Sequence, residues 1–499
     1  MADRHPQGRL VTGGSWLIAV QVVDRLIGVV SVSVLARLLV PADFGVVAVA
    51  STVVAAVELM SAFGFDWALV RHHNLSADYL NTGWTLRALI GVATFAVLTL
   101  LAPLAAAFYR LPALTPVLPV LGVASFIGSL ENIGMVYFRR DFAFHKEFLL
   151  RTVSKLASFV VTISLAVAYR SYWALVAGAV ALRAGGTVAS YVLHPYRPRA
   201  SLVHARELLS FSSWLLAGSI VDYFRDKFSS VYLGRVFGPR VTGLFSLASE
   251  LSQLPISAVA APINRVAYSK YAEDVRANRP LGASYIEIAS MIWLISLPMC
   301  AGTIATATEI VRLLLGPQWE DAVAVLRWLA LGTAFNVLVA NTHYVYWALG
   351  HSRIVAALSA LGAAIIVPMT IVMSHLAGYL GVAVAYALTA GVLVPVNFAW
   401  LRRRAGIRFG SLWPRVWRVT LAASVMLVVL DLALPRPGSE TAAAAALTLF
   451  VKVVAGAALY ATALAAMWLV AGRPDGPERH ALRLVLNWSK RLVRQDARS

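Results

Sequence analysis

The chain has 499 residues, of which 59% are hydrophobic and 13% are charged, and its mean hydropathy is +0.73. Soluble proteins contain roughly 45–50% apolar residues, so this composition predicts a membrane protein. The formal net charge of +19 does not indicate nucleic-acid binding, because no nucleic-acid-binding motif accompanies it. Cytoplasmic loops that collect Lys and Arg explain the charge instead. The single cysteine, Cys300, provides no disulfide framework.

Apolar runs of about 20 residues recur along the chain, each long enough to cross a bilayer as a helix. We expect six spans in a first lobe, six in a second lobe and two more after it, about 14 in all. The first six are expected at 12–38, 42–64, 85–107, 112–135, 150–169 and 172–194. The next six are expected at 210–233, 241–264, 283–307, 322–348, 352–375 and 378–401, and the last two at 416–434 and 443–471.

The predicted fold class is therefore an all-α polytopic membrane protein with two pseudo-symmetric six-helix bundles and two C-terminal helices. The four predicted parts are the N-terminal lobe, the C-terminal lobe, two additional transmembrane helices and a basic amphipathic cytoplasmic tail, at 1–200, 201–405, 406–472 and 473–499. Loop Lys and Arg favour one side by more than about three to one when the N-terminus is placed inside. This bias predicts that both termini are cytoplasmic.

One stretch of the chain occurs twice. Residues 15–51 and 213–249 align without a gap, and 13 of 37 positions are identical, where roughly 3 or 4 are expected by chance. Both copies carry an aspartate, Asp24 or Asp222, near the middle of an apolar segment. The repeat predicts a duplicated membrane protein with an ionisable group at the same depth in each half.

Each copy of the repeat also contains a Pro-x3-Gly motif, Pro41 with Gly45 and Pro239 with Gly243. Proline cannot continue a preceding helix, and glycine allows a tight turn or close packing. These motifs indicate either a tight outer turn between two helices or a hinge for alternating access.

Ionisable residues inside the predicted spans are the candidates for a substrate cavity, since each costs at least about 2.5–3.5 kcal/mol at the centre of a membrane helix. They are Asp24, Arg25, Arg183, Asp222, Arg225, Asp226, Lys227 and Glu250. Asp222, Arg225 and Asp226 are spaced to share one helix face. That face indicates either a salt-bridge network that joins the lobes or a water-filled path for an anionic substrate.

A further set of charged residues lies nearer the ends of the spans, where long side chains can reach the membrane surface. This set comprises Glu58, Arg87, Lys155, Glu287, Arg327 and Lys452. The sequence has no phosphate-binding loop, no HExxH motif and no pair of His or Cys at metal-ligand spacing. We therefore expect a transporter rather than an enzyme, with no metal and no cofactor. A coupling ion, H⁺ or Na⁺, is left open.

An ordered set of motifs resembles the Wzx-type oligosaccharide flippases, the polysaccharide-transporter branch of the multidrug/oligosaccharidyl-lipid/polysaccharide (MOP) flippase superfamily. The set consists of ARLLVPADFGVVAVAS at 36–51, the polar loop at 68–84, FRRDFAFHKEF at 138–148, GR-x3-P-x3-GLFSLASELSQLP at 234–255 and LLLGPQWEDA at 313–322. The resemblance implies two bundles that face a central cavity. It also implies export of a polyprenyl-pyrophosphate-linked oligosaccharide to the outer leaflet, for surface polysaccharide or lipopolysaccharide biosynthesis.

The resemblance implies partners as well: the lipid-linked oligosaccharide, membrane lipids, a polysaccharide polymerase and other assembly proteins, with the chain itself a monomer. A pyrophosphate needs cationic partners, which Arg25, Arg183, Arg225 and Lys227 would supply. The alternatives are a multidrug exporter of the same superfamily, a lipid II flippase, a membrane glycosyltransferase or polymerase, and a scaffold. Short outer loops disfavour the third, and buried charges in both halves disfavour the fourth.

Overall fold

The computed structural model describes residues 27–59, 76–140, 144–206, 213–433 and 442–479. Over these ranges the regular secondary structure is helical, without a strand. Contacts between helices divide the chain into two compact units. Unit 1 comprises Met1–Ser246 and Leu314–Gln318, and unit 2 comprises Leu247–Leu313 and Trp319–Ser499. The all-α, polytopic prediction is confirmed, whereas the predicted lobe boundaries and the amphipathic tail, most of which lies outside the described residues, remain predictions.

Unit 1 is built from apolar helices. Its helices are α1 (Ile27–Leu38), α2 (Pro41–Leu59), α3 (Ala77–Tyr109), α4 (Leu114–Ser129), α5 (Phe144–Tyr169), α6 (Trp173–Leu193) and α7 (Ser213–Val236), followed by the first part of α8 (Gly238–Ser252). The core lies where α2, α3, α4 and α6 meet, around buried side chains such as Val49, Leu98 and Leu118.

Unit 2 continues with α9 (Ala261–Arg276), α10 (Leu281–Ala305), α11 (Ala322–Val339), α12 (Thr342–Ala348), α13 (Ser352–Ala405), α14 (Phe409–Ala433) and α15 (Ala442–Val470). The long α13 is interrupted at Ala377 and Gly378, where Gly378 has a φ of 59°. Only glycine adopts this backbone conformation readily, so the break separates two helical segments, in agreement with the predicted spans 352–375 and 378–401.

The outer surface of the helices is apolar. Leu100 and Leu104 of α3, Val188 and Val192 of α6, and Val470 of α15 are all exposed. Such surface is unfavourable in water and favourable in lipid. Eight helices of the described residues are long and apolar enough to cross a membrane, and α8 with its continuation to Arg276 forms a ninth if the pair, bent by 40°, is one span.

The two Pro-x3-Gly motifs pack against each other within unit 1. A Cβ atom added at Gly45 would overlap the carbonyl group of Pro239, and one added at Gly243 would overlap the carbonyl of Pro41. The contact is therefore reciprocal, and only glycine permits the two helix backbones to approach so closely. Each motif begins a helix directly after a short break in the chain, and its glycine also serves the crossing of α2 with α8.

The segment between α6 and α7 is attached to unit 1 by hydrogen bonds. Tyr196 donates to Oδ1 of Asn81 at 2.7 Å, and the backbone N–H of Arg199 donates to the same oxygen at 2.8 Å. The amide group of Asn132, on the opposite side, donates to the carbonyls of His194 and Tyr196. Burial raises the pKa of the Tyr196 phenol, which keeps its proton available for the hydrogen bond.

The LLLGPQWEDA motif supplies a contact of unit 1 from far along the chain. The Gln318 amide donates to the Ala36 carbonyl at 2.6 Å, at the end of α1. The last carbonyls of a helix have no partner within the helix, so a side-chain amide that binds them stabilises its end. This contact gives one residue of the motif a structural role.

Polar side chains in unit 2 form hydrogen bonds with backbone groups at the point where a helix is interrupted. The amide of Asn264 donates to the Ala340 carbonyl at 3.0 Å, between α11 and α12. Asn341 donates to Asn264, and Tyr271 donates to Asn341. Backbone groups freed at a break inside a membrane need such internal partners. The network therefore stabilises the interrupted α11–α12 segment.

Two ion pairs join α14 and α15 to neighbouring segments of unit 2. Lys452 of α15 binds Glu309 at 2.6 Å, and the two side chains are only 4% and 1% exposed. Arg418 of α14 binds both carboxylate oxygens of Glu478, at 2.8 and 3.3 Å. We expected Lys452 to reach the membrane surface, and this expectation is wrong. Its buried partner Glu309 lies in another segment, and ion pairing compensates the burial of the charge.

Candidate functional site

A charged cavity of about 680 Å³ lies inside unit 1. Its walls come from α1, α3, α5 and α6, and from the segment that follows α4. The ionisable side chains in its lining are Arg87, Glu131, Glu147, Arg151, Lys155 and Arg183. Four cations and two carboxylates give the lining a positive balance, and the volume is within the roughly 300–1,000 Å³ typical of ligand sites.

Arg183 lies in the middle of α6, and its side chain packs beside Gly128 of α4. A Cβ atom at Gly128 would lie 3.0 Å from Cδ of Arg183. The absence of a side chain at Gly128 therefore leaves room for the guanidinium arm beside α4. An arginine at this depth of a membrane span needs water or an acid nearby. The cavity supplies the first, and Glu58 supplies the second.

Arg183 and Glu58 form a loose ion pair. Nη2 of Arg183 lies 3.6 Å from Oε1 of Glu58, and the two side chains are 52% and 38% exposed. The hydroxyl of Ser125 donates to the same Glu58 oxygen at 2.9 Å. The carboxylate is therefore fixed by α4, whereas the arginine contacts it at a distance longer than a good hydrogen bond.

A second arginine has a similar partner. Nη2 of Arg87, on α3, lies 3.7 Å from Oε2 of Glu131, just beyond α4. Both side chains are partly exposed to the cavity. In each of the two pairs, a carboxylate lies beside an arginine. Glu58 contacts Ser125 within α4, and Glu131 follows the end of α4.

The remaining charges follow one face of α5. Glu147, Arg151 and Lys155 are spaced four residues apart, which places them one above another on a helix. Arg151 binds Glu147 at 2.7 Å, in a pair closer than the two described above. Ser154 and Ser158 on the same helix add hydroxyl groups to the lining. This face offers both cations and neutral hydrogen-bonding groups.

The structure distributes the residues predicted for the cavity over several places. Arg183 lines the cavity, whereas Asp24 and Arg25 lie outside the described residues. Arg225 lies 3.1 Å from Asp222 and 2.9 Å from Asp226, which confirms their shared face on α7.

Two predicted residues remain. Lys227 of α7 is exposed, and Glu250 is exposed on α8, in unit 2. The described part of the cavity lining includes neither of them, nor the Asp222 cluster. A role for any of these residues in transport remains a prediction.

The cavity includes residues that sequence reasoning did not select. The sequence predicts that Arg87 and Lys155 reach the membrane surface, places Glu147 only within the 138–148 motif, and does not single out Glu131 or Arg151. A cation within an otherwise apolar helix is a usable signal for Arg87 and Lys155. Glu131 and Arg151 lie near polar segments of the sequence. In such a segment, the sequence pattern does not distinguish a charged residue that lines a cavity from one that faces solvent.

The described residues contain no group of three His, Cys, Asp or Glu side chains arranged to hold a metal ion. The described lining of the cavity presents arginine, lysine and carboxylate side chains together with hydroxyl groups. Guanidinium groups bind phosphate or carboxylate groups through paired hydrogen bonds. This arrangement suits an anionic ligand.

Apolar membrane-length helices with an internal charged cavity define a polytopic α-helical membrane protein. A sequence profile of the family described as "Polysaccharide biosynthesis protein" matches residues 34–324. The chain belongs to this family, and its resemblance to Wzx-type proteins is confirmed.

Curated relatives from several bacteria align with about two thirds of the chain or less. The lipopolysaccharide biosynthesis protein WzxC of Escherichia coli (strain K12) is 24% identical over 331 residues, which are 65% of this chain and 66% of that protein. The succinoglycan biosynthesis transport protein ExoT of Rhizobium meliloti (strain 1021) is 26% identical over 60% of this chain and 62% of its own length. The chain thus spans less than two thirds of these relatives' lengths.

Solved structures share the fold at low sequence identity. A lipid II flippase MurJ in an inward closed conformation superposes with a TM-score of 0.74 and 12% identity, over 92% of this chain and all of that one. An inward-facing multidrug resistance transporter of the MATE family, in the MOP superfamily, has a TM-score of 0.58 and 17% identity, over 76% of this chain and 94% of its own. These likenesses establish the fold.

Proposed function

We propose that the protein is a flippase that moves a polyprenyl-pyrophosphate-linked oligosaccharide from the cytoplasmic to the outer leaflet of the bacterial plasma membrane. The observation that carries this proposal is the cluster of Arg87, Arg151, Lys155 and Arg183 around a cavity inside a membrane-spanning unit. Cations at this depth are costly unless they serve an anion. Membership of the polysaccharide biosynthesis family supports an oligosaccharide substrate.

The proposed division of labour follows from the chemistry of the substrate. The pyrophosphate binds the guanidinium groups of Arg183 and Arg87 through paired hydrogen bonds. The hydroxyl oxygens of Ser154 and Ser158, whose protons bind backbone carbonyls, can accept hydrogen bonds from the sugar that follows. The polyprenyl chain remains in the bilayer, because its transfer to a polar cavity is unfavourable. The cavity volume suits the head of such a substrate and leaves the tail in lipid.

The number of spans, the lobes and the orientation of the termini are proposed from the sequence. We propose 14 spans in two six-helix lobes with two further helices, at the boundaries given above, and cytoplasmic termini. Transport proceeds by alternating access of the two lobes, with Pro41, Gly45, Pro239 and Gly243 as the pivot. The chain acts as a monomer beside the polymerase of the same assembly pathway, and it has no catalytic role.

Deletion of the gene in its source bacterium tests the proposal. We expect lipid-linked oligosaccharide to accumulate on the cytoplasmic leaflet and surface polysaccharide to be lost. Wild-type protein restores both, whereas Arg183→Ala at matched protein level does not. Arg312→Ala, which removes an arginine outside the cavity, is the matched control and restores both. Unchanged surface polysaccharide with increased drug sensitivity would instead indicate a multidrug exporter and would refute the proposal.

A further inference from the structure

The two arginines best placed to bind phosphate each have a carboxylate beside them. Arg183 lies 3.6 Å from Glu58, and Arg87 lies 3.7 Å from Glu131. In a site that only binds an anion, carboxylates at this distance weaken binding, because they compete with the anion for the same guanidinium groups. The acids therefore need an explanation of their own.

These pairs are weak by geometry. Their distances exceed a normal charge-assisted hydrogen bond of roughly 2.7–2.9 Å, and the side chains are partly exposed. An ion pair in such surroundings contributes between 0 and about 1 kcal/mol. A phosphate that forms two hydrogen bonds with a guanidinium group displaces a partner of this strength.

The carboxylate stays in place when the arginine leaves. The Ser125 hydroxyl donates to Glu58 at 2.9 Å, independently of Arg183. Glu58 therefore keeps a partner on α4 and remains beside the occupied site. There it repels a bound anion and is ready to bind Arg183 again when the anion departs.

We propose that Glu58 is an internal countercharge for Arg183, which the phosphate groups of the substrate displace and which accelerates their release. Glu131 has the same relation to Arg87. The inference rests on the proposed function, because it concerns how the same cavity binds and releases its anionic substrate. Glu58 acts through Arg183 and is a positioning residue. A flippase that bound its substrate without this competition would retain it after the conformational change.

Binding of farnesyl pyrophosphate to the purified full-length protein tests the proposal. We expect Glu58→Gln to bind this probe about two- to fivefold more tightly than wild type, the factor that corresponds to a weak ion pair. Arg183→Ala should bind it at least about tenfold more weakly, because a hydrogen-bonded charge is lost. Glu320→Gln is the matched control: it removes an acid that pairs with Arg312 in unit 2, and its affinity should equal that of wild type.

Transport by reconstituted protein separates a countercharge from a merely structural residue. Glu58→Gln should lower both the KM and the kcat for flipping, because a tighter site releases more slowly. The charge-preserving Glu58→Asp should return both constants toward wild type. A structural role would lower activity and thermal stability without a decrease in KM, and that result would overturn the proposal.

The outcomes distinguish the two proposals. If wild type does not bind the probe, or if Arg183→Ala binds it equally well, the proposed function fails. If Arg183→Ala loses affinity while Glu58→Gln and Glu131→Gln both bind like wild type, the countercharge is refuted and the flippase proposal stands. Equal tightening by Glu320→Gln would show an effect of overall charge and would also refute the countercharge. Should Glu58→Gln fail to fold, Glu131→Gln provides the same measurement through Arg87.

Discussion

Two arginine ion pairs of unit 1 differ in length and in burial from the lysine pair of unit 2. In unit 1, Arg183–Glu58 and Arg87–Glu131 span 3.6 and 3.7 Å and face a cavity. In unit 2, Lys452–Glu309 spans 2.6 Å and is almost fully buried. Loose pairs in water exchange partners readily, whereas a buried pair is expensive to break. Under the proposed function, the comparison separates two uses of charge: exchangeable binding at the Arg183 and Arg87 pairs, and attachment of helices at the Lys452–Glu309 pair.

The close packing of unit 1 completes the contrast. Where unit 2 uses buried charges to attach α14 and α15, unit 1 brings two helix backbones together at Gly45 and Gly243. This contact needs no charge. The cavity side chains of unit 1 are thus relieved of a structural duty, which makes them available for a substrate.

The largest effect should come from Lys452→Met. Removal of the lysine leaves Glu309 as a buried, uncompensated charge, and such a change destabilises proteins by about 3–5 kcal/mol. Oε2 of Glu309 already lacks a hydrogen-bond partner among the described residues, so no other contact replaces the lost one. Thermal unfolding in detergent measures the loss. The double variant with Glu309→Leu should recover most of the stability, and a single variant as stable as wild type would break the comparison.

A smaller loss, about 2–3 kcal/mol, is expected for Arg418→Ala, because a hydrogen-bonded buried charge loses its partner. Glu478 is slightly more exposed than Glu309, at 7% against 1%, so its charge is less costly to leave without a partner. Arg418→Lys should not restore stability, since an ammonium group cannot bind both oxygens of Glu478 and the Pro414 carbonyl in the same geometry. Full recovery with lysine would show that charge alone suffices. Thermal unfolding is again the measurement.

Gly45→Ala tests the close packing of unit 1. The added methyl group overlaps the Pro239 carbonyl, and forcing an extra group into a packed contact costs about 1–3 kcal/mol. Gly410→Ala is the matched control, since the space around a Cβ atom there is open for 4 Å. Only the first variant should unfold at lower temperature. Equal behaviour of the two variants would argue against a tight crossing.

The smallest effect on stability is expected for Arg183→Ala, below about 1 kcal/mol, because its ion pair is half exposed and long. The same variant should lose transport. A large fall in unfolding temperature would show that this pair is structural, like those of unit 2. Unfolding and flipping are measured on the same preparation, so the two effects are compared directly.

Apolar runs in the sequence predicted the positions of the helices well. The predicted span 172–194 corresponds to Trp173–Leu193, and the predicted span 443–471 corresponds to Ala442–Val470. The main difference is α3, which begins at Ala77 rather than at 85. Its first turns are polar and resemble a loop, yet Ser76 caps them and Asn81 anchors the segment that follows α6. Periodicity cannot reveal a polar helix whose partners lie elsewhere in the chain.

The site was predicted less completely than the fold, for a physical reason. A single sequence identifies a charge in an apolar helix, as it did for Arg183 and Lys452, but it does not identify the charge that faces it. Glu58 and Arg183 lie on different helices far apart in the chain. The repeat drew attention to α7, where Asp222, Arg225 and Asp226 do form a cluster. The described cavity is instead lined by helices that precede it.

The docking of Gln318 onto the end of α1 has a consequence for biosynthesis. A ribosome extends a chain by about 5–20 residues per second, so synthesis from Ala36 to Gln318 takes roughly 14 to 56 seconds, and the end of α1 lacks this partner during that time. Unit 1 also takes residues up to Ser246. Its final contacts therefore form late, after several helices of unit 2 have been synthesised. A truncated product that ends before residue 318 would leave the end of α1 without this partner. We expect cellular quality control to recognise such a product as incompletely folded.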